Sequence, residues 1–449
     1  MLARLTRWLR SRHPAQLIVF AFAAGVLVGA VLLLLPIATA GTERASVTTA
    51  LFTSTSALCV TGLVVVDTPT YWSSFGQVVI LGLIQVGGIG IMTLASLLAL
   101  LVARRLGLRT RLIAQAETAA PQLQDVRRLV FGVVLLSLCF EAAAALLLTL
   151  RFSLTYDMSF GSAVWHGVFH AVSAFNNAGF ALWSDSLVQF VTDGWITLTV
   201  AGAILAGGLG FPVWIELRRR ILSPRFWTLH TKLTLVMTAA LLGLGFVAVA
   251  AFEWSNAATL GPLDTGGKVL AAFFQSVTPR TAGFNTIDYG SVEEETLLVT
   301  DILMFLGGGS ASTAGGIKVT TFALLFLMVW SEVRGDPNVT AFSRRVPAQA
   351  QRQAFSVAFI ATIAVAAGTL ALMSVSDSPF RDVLFEAVSA FGTVGLSTGI
   401  TAEWGEFGRI VLIVLMFLGR TGPYTLAVAL ALRERKRLYR FPEERPLIG

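Results

Sequence analysis

Four short stretches of the chain share an arrangement of residues that could bind a cation. Each begins with Phe and carries, ten residues later, a Gly that is followed by Leu or Phe. We call these stretches the Gly phrases; they span 52–63, 169–180, 273–284 and 385–396. Backbone carbonyls can replace the water shell of a monovalent cation, and Gly allows the backbone conformations that aim them inward. The pattern therefore predicts a selectivity filter built from four loops.

The residues predicted to line this filter are the Gly of each phrase and the two residues before it. They are Val60, Thr61, Gly62, Asn177, Ala178, Gly179, Thr281, Ala282, Gly283, Thr393, Val394 and Gly395. Glycines that serve only helix packing are the alternative, but packing does not explain four phrases in register. No catalytic residue is predicted.

A second set of glycines begins 24 to 28 residues after the Gly of each phrase, at 87–90, 207–210, 307–309 and 419–422. The third set continues into a polar segment that cannot form a stable helix, since each interior Gly costs about 1 kcal/mol relative to Ala. We predict that this segment is a gate, together with Arg420, whose charge inside a membrane span costs about 2.5–3.5 kcal/mol. The gate residues are Gly307, Gly308, Gly309, Ser310, Ser312, Thr313, Gly315, Gly316, Lys318 and Arg420.

The composition indicates a membrane protein. The chain has 449 residues, of which 55% are hydrophobic and only 13% charged, about half the charged fraction of a soluble domain. The net charge of +7 could suggest a nucleic-acid partner, but the basic residues lie in alternate loops, so no nucleic-acid binding is predicted. Two cysteines, Cys59 and Cys139, cannot build a disulfide framework or a Cys-rich metal site.

Each quarter of the chain reads as a long apolar span, a short apolar stretch and a second long span. The outer spans are 15–36, 127–150, 227–252 and 351–375, and the inner spans are 75–103, 190–217, 294–333 and 404–432. The short stretches at 45–58, 162–175, 268–279 and 380–391 cannot cross a bilayer of roughly 30 Å. Such half-crossing segments are tolerated where they line an aqueous cavity.

The predicted fold is therefore an all-α polytopic membrane protein. It has four membrane–pore–membrane repeats, with eight transmembrane helices and four re-entrant pore loops around a central pore. The predicted repeats are 1–103, 104–217, 218–334 with a broken inner helix, and 335–449 with a C-terminal tail. Lys and Arg cluster at the N-terminus, around 104–128, 218–232 and 334–352, and at 433–440. These loops and both termini are predicted to be cytoplasmic, and the acidic residues between them to surround the outer mouth. These acidic residues are Asp67, Asp185, Asp193, Asp288, Glu293–Glu295, Glu403 and Glu406.

Four further residues stand out. Arg280 occupies the position held by Cys59, Asn176 and Gly392 in the other phrases, and we expect it to brace its loop from behind, with Glu386 as one candidate partner. His166 and His170 have helical i, i+4 spacing and are expected to pack and hydrogen-bond rather than bind a metal. Glu141 lies inside an apolar span and is expected to be paired internally or to couple to protons.

At these residues the chain resembles the Trk/Ktr/HKT superfamily of potassium transporters. The resemblance rests on NNAGF, RTAGF and TVGL in the phrases, on GGGSASTAGGIKVTT, and on FLGRTGP around Arg420. Eight spans with little sequence before the first suggest the KtrB-like membrane subunits. The resemblance implies K+ at the filter carbonyls, uptake that is often Na+-dependent, a homodimer in the cell membrane, and a cytosolic KtrA-like RCK ring that holds the nucleotide. It implies no cofactor in this chain.

Two alternatives remain open. One is a Na+-permeable or poorly selective cation pathway, although Gly62 favours K+ because relatives with Ser at the first Gly pass more Na+. The other is a membrane-embedded enzyme that uses His166, His170 or Glu141, which leaves the four registered phrases unexplained.

Overall fold

The computed structural model describes residues 14–105 and 123–432, and these residues form a mostly helical molecule. Fifteen helices are labelled in chain order as α1 Pro14–Leu33, α2 Val47–Leu58, α3 Thr68–Tyr71, α4 Ser74–Arg105, α5 Leu123–Thr155, α6 Phe160–Phe175, α7 Gly194–Leu209, α8 Phe211–Arg220, α9 Leu229–Glu253, α10 Thr265–Val277, α11 Glu294–Phe305, α12 Val319–Arg334, α13 Ala348–Met373, α14 Phe380–Gly392 and α15 Glu406–Leu432. Single 3-10 turns lie at Pro36–Ala38, Val188–Phe190, Pro224–Phe226, Tyr289–Ser291 and Ile400–Glu403. The expected all-α class is confirmed.

The β structure in the described ranges is small. Strands β1 Thr340–Ala341 and β2 Arg344–Arg345 form an antiparallel hairpin between α12 and α13. Its turn is made by Phe342 and Ser343, which both have left-handed backbone conformations. Such consecutive positive φ angles match the twist of a two-residue hairpin.

Within the described ranges, four helices are long and apolar enough to cross a membrane. They lie in α4, α5, α9 and α13, and a fifth crossing is formed if the bent pair α7 and α8 counts as one span. The other predicted spans correspond to α1, to the pair α11 and α12, and to α15. Large apolar side chains on these helices point outward, for example Leu27 and Leu146, each 61% exposed, as expected for helices that face lipid.

Two inner spans are interrupted. The third span stops at Phe305 and resumes at Val319, and the glycine-rich segment between them is not helical. The second span stops at Leu209 and turns by 97° at Gly210, which was not predicted. Gly210 has a φ of 90°, which glycine adopts without a steric penalty, and Pro212 lies in the first turn of the helix that follows.

The four short helices α2, α6, α10 and α14 lie at the centre of the molecule. Three of them begin with a capping side chain, because Ser46, Ser159 and Asp264 each accept a hydrogen bond from a backbone N–H of the first turn. Their C-terminal halves are buried, including polar residues such as Thr53 and Ser54. The long helices form the outer layer, and each short helix ends three to six residues before the Gly of its own phrase.

The repeat boundaries at 103, 217 and 334 remain predictions. Several basic clusters that carried the predicted orientation lie outside the described residues, namely those in 1–13, at Arg109 and Arg111, and in 433–449.

Candidate functional site

The four glycines of the phrases form a closed ring. We call the three-residue segments 60–62, 177–179, 281–283 and 393–395 the Gly loops. A Cβ added to any of the four glycines would lie 2.9–3.2 Å from the Cα of the next glycine around the ring. The order is Gly62, Gly179, Gly283, Gly395 and back to Gly62. The structure thus brings together residues that are more than 100 positions apart in the sequence.

Each contact in the ring involves a backbone carbonyl. A Cβ on Gly62 would overlap the carbonyl oxygen of Ala178, and one on Gly395 would overlap that of Thr61. The carbonyls of Ala282 and Val394 approach Gly179 and Gly283 in the same way. The ring therefore carries four carbonyl oxygens, one from each Gly loop, and it has no room for a side chain at the glycines.

The backbone of every Gly loop alternates in handedness. The first and third residues have positive φ, for example 56° at Val60 and 95° at Gly62, whereas the middle residue does not. The same alternation occurs in the loops of Gly179, Gly283 and Gly395. Alternating left-handed and right-handed residues turn successive carbonyls to one side of the chain, unlike a strand, in which they alternate. A stack of carbonyls on one side is the arrangement that replaces ion hydration.

Hydroxyl groups hold three of the loops to their short helices in closely similar ways. Ser56 Oγ donates to the carbonyl of Leu63 at 2.7 Å and accepts from the N–H of Gly62 at 3.1 Å. Ser173 donates to the carbonyl of Phe180, and Ser389 accepts from the N–H of Gly395. Sequence reasoning missed these residues, although a Ser six positions before the Gly recurs in three phrases.

The third loop is built differently. Val277 occupies the position of these serines, and Thr278, one residue later, donates to the carbonyl of Phe284 instead. The backbone follows this shift: the N–H of Ala282 bonds four residues back to Thr278, whereas the N–H of Ala178 bonds five residues back to Ser173. The third Gly loop therefore joins its short helix by a tighter turn.

A cavity of about 280 Å³ opens above the ring, and all four ring glycines line it. Two acidic residues of the predicted outer mouth, Asp67 and Asp288, also line this cavity. The other predicted acids, Asp185, Asp193, Glu293–Glu295, Glu403 and Glu406, are not among its lining residues.

Glycines of the inner helices let these helices touch the short helices from below. A Cβ on Gly87 would overlap the carbonyl of Leu58, and Gly207 and Gly419 meet Phe175 and Phe391 in the same manner. In each case the carbonyl belongs to the residue four positions before the ring glycine. Close approach thus explains the first glycine of three clusters.

The loop 307–316 lies directly beneath the Gly loops and touches several of them. Thr313 Oγ1 lies 3.2 Å from the carbonyl of Phe175 and 3.1 Å from the side-chain amide of Asn177. Gly315 packs against Thr393 and Gly392 on the opposite side. Within this loop Ser312, Thr313 and Ala314 are fully buried.

Backbone hydrogen bonds fix the loop 307–316 to the broken second inner span. The N–H of Gly309 donates to Gly208 at 2.8 Å, and the N–H of Phe211 donates to Ala311 at 3.2 Å. The break at Gly210 therefore receives part of the loop. Two side chains close the loop on itself, because Lys318 donates to the carbonyl of Ala314 and Ser312 to that of Gly309.

Arg420 reaches this loop from the last helix. Its Nη1 donates to the carbonyl of Thr313 and its Nη2 to the carbonyl of Gly87, at 3.1 Å. The side chain is 1% exposed. Its charge is therefore met by backbone carbonyls of two other segments, as a guanidinium with several donors can arrange.

Arg280 points away from the ring, as expected, but the proposed partner was wrong. Its guanidinium donates to the carbonyl and the hydroxyl of Thr238 on α9, at 3.3 and 3.1 Å. Glu386 instead accepts from Ser397, Thr401 and a backbone N–H of its own quarter. The carbonyl and the hydroxyl of Thr238 accept the hydrogen bonds of the Arg280 guanidinium, so a buried carboxylate is not needed as its partner.

Glu141 is paired internally with two amides. Gln85 Nε2 donates to both carboxylate oxygens, at 3.1 and 2.8 Å, and Asn176 Nδ2 donates to one of them at 3.0 Å. The two histidines behave as packing and hydrogen-bonding groups: His170 Nδ1 bonds the carbonyl of His166, and its Nε2 accepts from the N–H of Leu182. No group of three His, Cys, Asp or Glu side chains suited to a metal occurs in 14–105 or 123–432.

Comparison with known proteins gives a consistent result. A family model described as "TrkH: Cation transport protein" matches residues 9–439. The chain is 41% identical to the Ktr system potassium uptake protein B of Bacillus subtilis, with 99% of both chains covered. It is 35% identical to the potassium/sodium uptake protein NtpJ of Enterococcus hirae, with 97% of both covered.

A solved structure shares the fold. The potassium transporter TrkH from Vibrio parahaemolyticus superposes with a TM-score of 0.70 at 19% identity, covering 93% of this chain and 85% of that one. The matched family consists of membrane transporters and not of enzymes, which removes the enzyme alternative. The chain belongs to the TrkH family of cation transport proteins.

Proposed function

We propose that this protein is the membrane subunit of a K+ uptake system and that the ring of Gly62, Gly179, Gly283 and Gly395 is its selectivity filter. The observation that carries the proposal is the closed ring itself, with one backbone carbonyl from each loop against the next glycine. Carbonyl oxygens suit a monovalent cation because they replace its water without adding a net charge that would trap it. The names of the relatives support K+ as the ion.

The filter would be formed by the twelve residues predicted from the sequence. The middle residues Thr61, Ala178, Ala282 and Val394 contribute the ring carbonyls, and the first residues of the Gly loops contribute the carbonyls below them. The short helices end at these loops, so the negative ends of their dipoles favour a cation there. Asp67 and Asp288 in the cavity above would raise the local cation concentration.

The loop 307–316 is proposed as the gate. It lies beneath the filter, is buried, and contacts Asn177 on one side and Thr393 on the other. In this arrangement it obstructs the path below the ring. Conduction requires it to move, which breaks the hydrogen bonds of Thr313 and those that Arg420 makes to the loop.

The assembly is proposed from the relatives. Proteins of a Ktr system are expected to work with a soluble subunit, so we infer a homodimer in the cell membrane under a nucleotide-binding RCK ring. The filter cavity faces outward, and the basic loops with Arg218, Arg334 and Arg344 face the cytosol, where they offer a docking surface. Na+-dependent uptake is part of this proposal.

A Na+-permeable pathway is the second candidate. It is favoured by the 35% identity to a protein named for both potassium and sodium uptake. The two candidates share the ring and differ only in how strongly it rejects Na+.

Ion flux separates the two candidates. The protein would be produced in cells that lack their own potassium uptake, and uptake of radioactive Rb+ would be compared with that of Na+. Uptake of Rb+ well above Na+ supports a K+ pathway, whereas equal uptake supports the second candidate. Cells that gain neither flux from the folded protein would contradict the transport proposal.

A filter variant gives the matched control. Gly395→Asp should abolish both fluxes because it places a charged side chain where even a Cβ overlaps a carbonyl. Gly405→Asp changes a glycine of the same quarter that has no atom within 4 Å of its Cβ position, and it should leave the fluxes nearly unchanged.

A further inference from the structure

The four Gly loops differ in the residue that lies three positions before the ring glycine. These residues are Cys59, Asn176, Arg280 and Gly392. In the second and third loops this residue has a polar side chain that reaches a long outer helix of the same quarter, α5 or α9. In the first and fourth loops it is a thiol and a glycine.

The second loop has the more extensive anchor. Asn176 Nδ2 lies 3.0 Å from Glu141 Oε1, 2.9 Å from Gln85 Oε1 and 2.9 Å from the carbonyl of Val172. Gln85 Nε2 closes the triangle by donating to both oxygens of Glu141. Asn176 is fully buried and Glu141 is 4% exposed. The network therefore ties one loop to two helices, α4 and α5, through largely buried groups.

Gly88 leaves the space for this anchor. A Cβ on Gly88 would overlap the side-chain amide of Asn176. Gly88 corresponds to Gly208, Gly308 and Arg420 in the other inner spans. The side-chain amide of Asn176 can therefore reach Glu141 only because residue 88 has no side chain.

The anchor lies two residues from a ring carbonyl. Asn176 is followed by Asn177 and Ala178, and the carbonyl of Ala178 is the one that meets Gly62. A movement of Asn176 would be passed along two peptide units to this oxygen. Replacement of ion hydration depends on where such oxygens are held, so an anchor at this distance acts on selectivity.

We propose that Glu141 is a positioning residue for ion selectivity: through Asn176 and Gln85 it holds the carbonyl of Ala178 in place and thereby sets the preference for K+ over Na+. This rests on the proposed function of the ring as a filter. The hydrogen bonds from Arg280 to Thr238 hold the adjacent third loop in a comparable way.

The test is the ratio of K+ to Na+ permeability in liposomes containing the purified protein. Glu141→Leu keeps the side-chain size but removes both acceptors. It should lower the ratio about tenfold, within the range found for residues of one hydrogen-bonded network. Glu141→Gln keeps one acceptor oxygen and should retain most of the preference. A residue with a purely structural role would lower both fluxes together and leave the ratio unchanged.

A second variant reaches the same contact from another helix. Gly88→Ala should displace the amide of Asn176 and lower the ratio as Glu141→Leu does. The double variant should show no further loss, because both changes break one network. If Glu141→Leu does not accumulate as folded protein, Gly88→Ala alone still tests the proposal.

Two matched controls complete the design. Ser137→Ala changes a buried polar residue of α5 whose hydroxyl bonds only Val133 of its own helix. Gly82→Ala changes a glycine of α4 with open space at its Cβ position. Both should keep the wild-type ratio. If Glu141→Leu and Gly88→Ala keep it as well while folded, the proposal is overturned; a wild-type protein without selective flux would contradict the proposed function instead.

Discussion

Arg420 donates a hydrogen bond of 3.1 Å to the carbonyl of Gly87, which lies 333 positions earlier in the chain. Gly87 is also the point at which α4 meets the end of the first short helix, at Leu58. The same guanidinium donates to Thr313 in the loop 307–316. One side chain therefore links the last inner helix, the first inner helix and the proposed gate.

Replacement of Arg420 by Gln should raise Rb+ uptake. Gln cannot reach the carbonyls of both Thr313 and Gly87, so the loop 307–316 loses a hydrogen bond that holds it in place. Gln also carries no charge, so the positive charge that repels cations below the ring is removed. We expect an increase of about tenfold, the equivalent of roughly 1.4 kcal/mol, which is close to the lower end of the range of about 1.5–3 kcal/mol for hydrogen bonds to charged groups. The measurement is the initial rate of tracer uptake into proteoliposomes at equal protein content.

The control for this variant is Arg409→Gln in the same helix. Arg409 donates to the carbonyls of Trp404 and Ala402 at the other end of α15, away from the loop. Its uptake should match the wild type. A rate for Arg420→Gln at or below that of Arg409→Gln would show that Arg420 is not a barrier.

Gly395→Ala should reduce K+ uptake at least about tenfold. Gly395 has a φ of 94°, which disfavours any Cβ, and its Cβ would overlap the carbonyl of Thr61 in the ring. The substitution thus displaces an oxygen where a shift of about 1 Å is costly. Tracer uptake and growth of uptake-deficient cells at low K+ measure the effect, and Gly405→Ala, which meets open space, should grow normally.

The short helices show how much of this architecture the sequence could predict. The expected stretch 380–391 is observed as Phe380–Gly392, and 45–58 as Val47–Leu58. Their apolar length and the Gly that follows are local properties, which is why they could be found. The four candidate Gly loops were found for the same reason, since the Phe and Gly spacing is local.

Other features depend on contacts between distant segments and could not be predicted. The sequence has similar glycine clusters at 87–90 and 207–210, yet α4 runs through the first and the chain breaks at the second. The break is supported by Ala311, which accepts from the N–H of Phe211. The order of the ring and the partner of Arg280, Thr238, likewise depend on packing between quarters or helices.

Variants that remove contacts of the loop 307–316 should increase Rb+ uptake, and the increase should be larger when more contacts are removed. Thr313→Val keeps the side-chain shape but loses the hydroxyl that contacts Phe175 and Asn177. We expect a rise of about fivefold, the equivalent of a net hydrogen-bond contribution near 1 kcal/mol. Deletion of 310–312, which shortens the loop, should give a larger rise in the same tracer assay.

Thr362→Val is the matched control, because the hydroxyl of Thr362 bonds only Ala358 of its own helix. It should leave uptake unchanged. Unaltered transport in the folded deletion variant would refute the gate assignment.

Asp193 at the start of α7 gives a prediction on pH and stability. Its carboxylate accepts from Arg151 Nε at 2.8 Å and from the hydroxyl of Tyr156 at 2.9 Å. Burial raises the pKa of the Asp193 carboxyl, but the hydrogen bonds from Arg151, Tyr156 and the N–H of Ile196 outweigh it and hold this pKa below its ordinary value. The folded protein therefore favours the ionised form more than the unfolded chain does.

The sign of the effect follows from this lowered pKa. The stabilisation by Asp193 is fully present above the ordinary Asp pKa of about 3.9 and is lost as the pH falls through the lower folded value. Asp193→Asn should lower the Tm in detergent by roughly 3 °C at pH 7, and the difference from wild type should shrink below about pH 4. Asp185→Asn, an exposed carboxyl in the same outer region, should show no such difference. A Tm difference for Asp193→Asn that stays constant from pH 7 to pH 3 would mean that the neutral acid stabilises the fold as well as the carboxylate does.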